Sequence, residues 1–309
     1  MGTLRLRMLE ERDRAALAEL ICVSTNAWYQ QHGKPPIFPG GPATTTLFAE
    51  VYEALDPGCC VLAEDPASGR LAGSCFYHPR ETHVALGIMN VHPDFFGAGV
   101  ARILLQHVIT LAEAKDRPIR LVSSAQNLDS FSLYTRAGFV PRCVYQDMWL
   151  EVPAGGLTVT APGSDRVRPA RLADVLDMAD LEQEISGIRR EADFRHLIDN
   201  AAGIWGMSVM DRVGGGLDGF LGSVDHPAST MLGPGVARDE IAAVALIHAR
   251  LDALRGRKPV FLVPCDRGTL VRTLYRWGAR NCELHLLQVR GNAQPLRGLT
   301  LPTFMPETG

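Results

Sequence analysis

Lysine is almost missing from this chain: only Lys34, Lys115 and Lys258 occur, against 28 arginines in 309 residues. The formal net charge is −3 and no stretch concentrates basic residues. That balance supplies no field for nucleic acid and no anchor for an anionic membrane; the preference for arginine is read as the mark of a GC-rich genome. No run reaches the roughly 18 apolar residues of a membrane span. The opening residues, MGTLRLRMLEERDR, carry charges where a secretion signal has an apolar centre, so a cytoplasmic location is expected. Cysteine occurs seven times, an odd set with no C-x-x-C and no histidine at zinc-ligand spacing. Neither a disulfide framework nor a metal is therefore expected. Adjacent Cys59 and Cys60 precede an apolar VLA and read as reduced core thiols ahead of a redox pair.

The chain is 46% apolar and 21% charged, enough for two hydrophobic cores at this length. The clearest break in apolar periodicity is EVPAGGLTVTAPGSDR, residues 151–166, rich in Pro, Gly, Ser and Thr. It suggests one domain over 1–152, a linker over 153–165, a second domain over 166–291 and a tail over 292–309. Both flanks begin alike. Arg7 and Asp13 lead into RAALAELI, and Arg168 and Asp174, at an offset of 161, lead into VLDMADLE. A second correspondence, at an offset of 141, runs without gaps from Ala101–Tyr134 to Ala242–Tyr275 and includes the pairs His107/His248, Leu133/Leu274 and Tyr134/Tyr275. The chain reads as a tandem duplication. The change of offset assigns about 20 extra residues to the first copy, with HGKPPIFPGGPATTT (32–46) as the expected insertion.

Within the first copy the pattern predicts strands over 61–64 and 71–78, a third strand in THVALGIMNV, a glycine loop, a helix over 100–114, a strand RLVSS, a short helix SFSLYTRA and a last strand or bent strand pair in FVPRCVYQDMWL. The order βααβββαβαβ calls for an α/β (α+β) fold with a mixed sheet. The segment V-H-P-D-F-F-G-A-G-V-A-R, followed at once by a helix, leaves unpaired amides at the positive end of a helix dipole, with Gly97 and Gly99 allowing close approach: an anion site or an ordinary structural turn. It is neither a dinucleotide fingerprint, since position 102 is Arg, nor a P-loop, since G-K-[ST] is absent.

Val91-x-Pro93-x-x-Phe96-Gly97-Ala98-Gly99-Val100-Ala101, followed by Asn127, Ser130, Tyr134 and Gly138-Phe139, resembles the GCN5-related N-acetyltransferase (GNAT) family over about residues 4–150. The family's Gln or Arg is replaced by Phe96. The resemblance implies two tandem GNAT-like domains, each a mixed, mostly antiparallel sheet flanked by helices, and an acyl-CoA, acetyl-CoA above all, as co-substrate without a metal. It implies that Met89 to Val91 pair with the pantetheine arm, that Phe96, Gly97, Ala98, Gly99, Val100 and Ala101 cradle the diphosphate, that Asn127 contacts the cofactor, and that Tyr134 lies near its sulfur as general acid. A phenol of pKa about 10 suits protonation of a thiolate of pKa about 8.5; a core tyrosine, echoed by Tyr275, is the alternative. Glu81 and His83 are the local candidates for the base, against a solvated turn glutamate and an edge-strand surface histidine, and His92 is a further option. Trp28, Tyr29 and Phe38 could wall an acceptor pocket or simply pack.

In the second copy, the 141 offset puts Ala237–Ile241 where the first has Phe96–Val100, and Gly268 for Asn127. Asp239 and Glu240 would repel a diphosphate, so this copy is expected to be a degenerate, structural or substrate-shaping domain. GPGVAR (233–238) mimics GAGVAR (97–102), but aligning on it opens a five-residue gap, and it is read as a strand end. The expected function is N-acyl transfer to an amine of a small molecule or peptide; a non-catalytic acyl-CoA sensor or scaffold is the alternative. The acceptor is not encoded legibly, and a homodimer stays open.

Overall fold

The computed structural model describes residues 4–309. By internal contacts the described residues form two compact units, one of residues 4–79 and 84–119 with Thr308, the other of residues 80–83, 120–307 and 309. In the first, β1 (Arg5–Met8), β2 (Cys60–Glu64), β3 (Leu71–Pro79) and β4 (Val84–Val91) form an antiparallel meander in that order. Helices α1 (Arg14–Gln31), α2 (Pro42–Leu55) and α3 (Val100–Ala114) complete it. Helix α3 buries Val100, Leu104, Leu105, Val108, Ile109 and Ala112, the stripe that its 3.6-residue period dictates.

The rest of the first copy, β5 (Ile119–Ser124), α4 (Leu128–Arg136) and β6 (Val140–Trp149), falls almost wholly in the second unit. There it joins β7 (Val167–Pro169), α5 (Val175–Ser186), α6 (Glu191–Asp199), β8 (Trp205–Asp211), β9 (Leu217–His226), β10 (Ser229–Ala237), α7 (Glu240–Ala253), β11 (Val260–Pro264), α8 (Gly268–Arg276), β12 (Arg280–Arg290) and β13 (Leu299–Leu301). The strand order is β5-β12-β6-β11-β10-β9-β8-β7, with β13 on β10. The sheet is mixed, mostly antiparallel, with a parallel β10–β11 pair. The final strands of the two copies are exchanged: β12 of the second copy lies beside β5 of the first, and β6 of the first lies beside β11 of the second.

Both copies run βααβββαβαβ, as the pattern predicts, and the strand pair allowed for at 139–150 is the single strand β6. The third strand starts at Val84, later than Thr82, because Arg80 to His83 form a turn closed by Arg80 N–H donating to His83 C=O. The expected insertion at 32–46 is corrected in part. Thr44 to Thr46 lie inside α2, and the extra length is shared between the connection at 32–41, ten residues against four at 187–190, and longer helices, α1 with 18 residues against 12 in α5 and α2 with 14 against 9 in α6. The seven cysteines are free, and burial pushes the Cys60 thiol well up, which suits an inert core group.

The two copies share one ionic knot. Arg7 forks onto both carboxylate oxygens of Asp13 at 2.5 and 2.8 Å and reaches Glu64, while Arg168 forks onto Asp174 at 2.8 and 2.9 Å and reaches Asp211. Each aspartate also accepts the amide of the residue three before it, Glu10 or Arg171, tying the strand to the following helix. The arginine hydrogen bonds hold both carboxyls below the usual aspartate range. A depressed folded pKa stabilises above the unfolded value near 3.9 and is lost as pH falls through the folded one. Asp174→Asn is therefore expected to cost about 1.5–3 kcal/mol at pH 7 and to flatten the acid limb of stability below about pH 4. Urea unfolding across pH checks this; an unchanged acid limb would contradict it.

Candidate functional site

The segment between β4 and α3 opens with a single turn, Pro93–Phe95, that His92 caps by accepting from Asp94 N–H. Arg70 donates to the Asp94 carboxylate at 2.7 Å and holds that carboxyl below its ordinary range. His92 thus has a local structural task. Phe96 is 48% exposed, its side chain turned out of the core. Gly97 and Gly99 both sit at φ +78, where an L side chain is strained, and a Cβ on Gly97 would meet nothing within 4 Å. The backbone is consequently bare on its outer side.

The cap position of α3 is Gly99, which has no side chain to offer, and among the described residues no carbonyl or side chain accepts from the amides of Gly97, Gly99, Val100, Ala101 or Arg102. Ala98 N–H instead closes on Phe95 C=O. Five unspent N–H groups at the positive end of a fifteen-residue helix suit an anion. The residues present fit the diphosphate of a coenzyme A thioester: the glycines admit close approach and the donors have no competing acceptor.

Met89 and Val91 stand on the face of β4 opposite to Asn90, next to a bulge where Phe76 of β3 faces both Gly87 and Ile88. A Cβ on Gly87 would come within 2.9 Å of His78 Nε2, so the bulge depends on glycine there. His78 is fully buried, its Nδ1 2.6 Å from the Asp56 carboxylate and its ring 4.9 Å from that of Tyr52. Sequence reasoning did not single out this pair; its members lie on different elements, and no spacing announces them.

In the second unit, Asn127 caps α4 by accepting from Ser130 N–H at 3.0 Å, which leaves its Nδ2 for a further partner. Tyr134 lies on α4, 6% exposed, its ring 5.7 Å from Phe139. The register of this helix corrects the repeat. Phe139 N–H donates to Tyr134 C=O as Ala279 N–H donates to Leu274 C=O, and the caps Asn127 and Arg267 share φ and ψ near −90° and 75°. The counterpart of Tyr134 is Leu274, that of Asn127 is Arg267, and the offset here is 140. Tyr275 is 45% exposed and donates to Gln146 instead of packing as a core tyrosine. A tyrosine at this position is thus peculiar to the first copy.

Glu81 and His83 lie in the 80–83 turn of the second unit. The Glu81 carboxylate is 71% exposed and 3.8 Å from Arg189. His83 is 1% exposed, its Nδ1 3.1 Å from Thr82 Oγ1, so it is not the edge-strand surface group expected. Phe38 belongs to the core, pinned through its backbone by Asn26 and packed edge-on against Phe48, whereas Trp28 stacks on His32 at 4.2 Å.

The second copy lacks the loop altogether. Gly73 stands opposite Val91 and Gly219 opposite Ala237, each admitting a helix leucine, Leu104 or Leu246, so the strand ends correspond. GPGVA is strand, as expected. From there residues 92–99 lead to α3, but Arg238 and Asp239 alone lead to α7. The change is therefore a deletion as well as a gain of charge. Asp239 Oδ1 accepts from Ala242 N–H at 2.8 Å, and Glu240 accepts from Leu270 N–H at the start of α8. The chain's own carboxylates occupy the helix starts. Arg238 is spent on Glu184.

Among the described residues no group of His, Cys, Asp and Glu could hold a metal ion, and no helix is long and apolar enough to cross a membrane. The acetyltransferase (GNAT) family profile matches residues 25–139 and a GNAT acetyltransferase domain profile matches residues 178–297. A 72-residue stretch is 38% identical to the UPF0157 protein YqkA of Bacillus subtilis (strain 168), covering 23% of this chain and 21% of that one. The whole chain superposes on an acetyltransferase candidate from Pyrococcus horikoshii, with a TM-score of 0.73, 14% identity and 97% of that chain covered. Also similar are a GCN5-related N-acetyltransferase from Sphaerobacter thermophilus (TM-score 0.62, 16% identity, 93% of this chain and 95% of that one) and a tandem GNAT protein from the clavulanic acid biosynthesis pathway (0.60, 14%, 94% and 100%). At such identities the likeness is one of fold.

Glu240→Ala, which removes the cap from α8, is expected to cost about 1 kcal/mol, a fall in Tm of about 2–4 °C for a domain of this size. Calorimetry of the intact chain checks it; an unchanged Tm would show that this carboxylate is idle.

Proposed function

The chain belongs to the GNAT acetyltransferase family, with two GNAT-like domains in tandem, and from that premise we propose that it is an acyl-CoA-dependent N-acyltransferase whose first copy is active. The observation that carries the reading is the contrast between the two copies. One helix start presents five unspent amides beside positive-φ glycines, and the other is capped by the protein's own Asp239 carboxylate.

Gly97, Gly99, Val100, Ala101 and Arg102 hold the diphosphate of acetyl-CoA through backbone N–H groups, Met89 to Val91 lie along the pantetheine arm, and the free Nδ2 of Asn127 serves the cofactor. The co-substrate supplies an activated acyl thioester. An acceptor amine of a small molecule or peptide forms the C–N bond as the C–S bond breaks, Tyr134 gives its phenolic proton to the departing thiolate, and the surplus proton of the acylated nitrogen passes to solvent, from which the phenol is restored. A tyrosine at this position, where the second copy has Leu274, supports the assignment. Glu81, exposed and next to Arg189, and His83, enclosed in its turn, offer no comparable support for the role of base. The second copy completes the exchanged sheet. We assign the protein to the cytoplasm.

The direct test is acetyl-CoA consumption with free thiol detected across amines, amino acids and peptides. Tyr134→Phe is expected to lower kcat by roughly 10²–10⁴ with acetyl-CoA affinity unchanged. Acetyl-CoA binding without thiol release from any amine would favour the sensor instead. Gly99→Asp is expected to abolish acetyl-CoA binding, because it places a carboxylate at the cradle. Gly256→Asp serves as its control, since Gly256 has a similar φ, +72, and equally open surroundings. Equal affinities of the two variants by calorimetry would contradict the cradle.

A further inference from the structure

Ser74 of β3 and Asn90 of β4 are register partners, so their side chains share one face of the sheet. It is the face toward α1, opposite to the one where Gly73 meets Val100 and Leu104 of α3. Ser74 is fully buried and Asn90 is 8% exposed. The Asn90 amide nitrogen donates to Ser24 Oγ at 2.7 Å and Thr25 Oγ1 at 3.3 Å, both on α1. Ser24 passes its own proton to Ile21 C=O at 3.3 Å. Asn90 Oδ1 and Ser74 Oγ then remain, buried, without a partner and not bonded to each other. Because Ser24 has spent its proton, the amide stands with Nδ2 toward it and Oδ1 unspent.

A buried polar atom left without a partner is destabilising, and two facing ones mark the place of a missing third group. Asn90 Oδ1 demands a hydrogen-bond donor, and the Ser74 hydroxyl can accept from that donor or donate to its neighbour. Thr25, at the edge of the cluster, is partly exposed, which gives the cluster an outer side. We propose that Ser74 and Asn90, with Ser24 and Thr25 fixing the amide, form a specificity subsite that takes an N–H or O–H group of the acceptor. The inference rests on the function proposed above. It adds that the acceptor carries a second polar group besides its reacting nitrogen, in the manner of an amino alcohol, a diamine or an amino-acid amide. A resident water would meet the same chemistry and is the outcome that the test must separate.

The full-length protein and its Ser74→Val variant, in which two methyl groups stand where serine has a hydroxyl and a hydrogen, are titrated with ethanolamine, putrescine and glycinamide, with and without acetyl-CoA, following Tm. Tetramethylammonium, charged but without an N–H, is the control. At least one of the three amines is expected to stabilise the native protein, with about tenfold weaker binding to Ser74→Val and no effect of tetramethylammonium. For an amine that turns over, KM rises about tenfold while the Kd of acetyl-CoA stays within twofold. If Ser74→Val does not fold, Ser74→Ala replaces it. An equal response of native and variant proteins, no response to any of the three, or a variant made more stable with an unchanged amine response would overturn the subsite and assign the gap to water. Failure to bind acetyl-CoA would instead remove the reading beneath it, and the amine titration alone would still decide the subsite.

Discussion

The exchange of final strands governs how this chain can be divided. β6 lies between β12 and β11, so the last strand of each copy finishes the sheet against a strand of the other. The β6–β12 ladder runs from Val140 paired with Val289 to Trp149 paired with Arg280. Cutting the chain at the Pro- and Gly-rich linker would bare the edges of β11 and β12, the kind of unpaired edge that folded proteins avoid. A duplication locked in this way cannot discard its second copy even when that copy has no chemistry left. Residues 120–149 accordingly cluster with the second copy by contact, although by sequence they belong to the first.

That constraint explains what the copies keep and what they lose. Both retain the strand-to-helix ionic knot, Arg7 with Asp13 and Arg168 with Asp174, and the glycines that admit a helix leucine against the sheet, Gly73 and Gly219. These serve the fold. They differ where a helix start can serve a ligand. The orphan amides of an α-helix need an acceptor, from a side chain or from a bound group. At α7 the acceptor is Asp239, and Glu240 goes on to serve α8, whereas at α3 the described residues supply none. An anion at such a start is worth about 0.3–1 kcal/mol at the surface and up to about 2 when partly buried, a term the first copy leaves open.

The element order, the helix from Val100 and the strand character of GPGVA were legible because periodicity, Pro93 and the paired glycines mark them locally. The repeat was legible too, but only to within a residue. Tyr275 follows Leu274 directly, and identity of letters favoured the wrong partner for Tyr134, an error that matching cap and backbone hydrogen bonds corrects. The shortened loop of the second copy was hidden for the same reason: Asp239 and Glu240 look like substitutions until the ends of β10 and β4 are superposed through Gly219 and Gly73. The pairs His78 with Asp56 and Ser74 with Asn90 were invisible, since each depends on strand register or on contact between distant elements. The exchange of β6 and β12 leaves no local trace, because either strand would satisfy the same alternation of side chains.

The central claim is that one copy alone presents an open diphosphate cradle, and calorimetric titration of the intact chain with acetyl-CoA tests it most directly. The account predicts one site per chain. Two equivalent sites, or none, would contradict it.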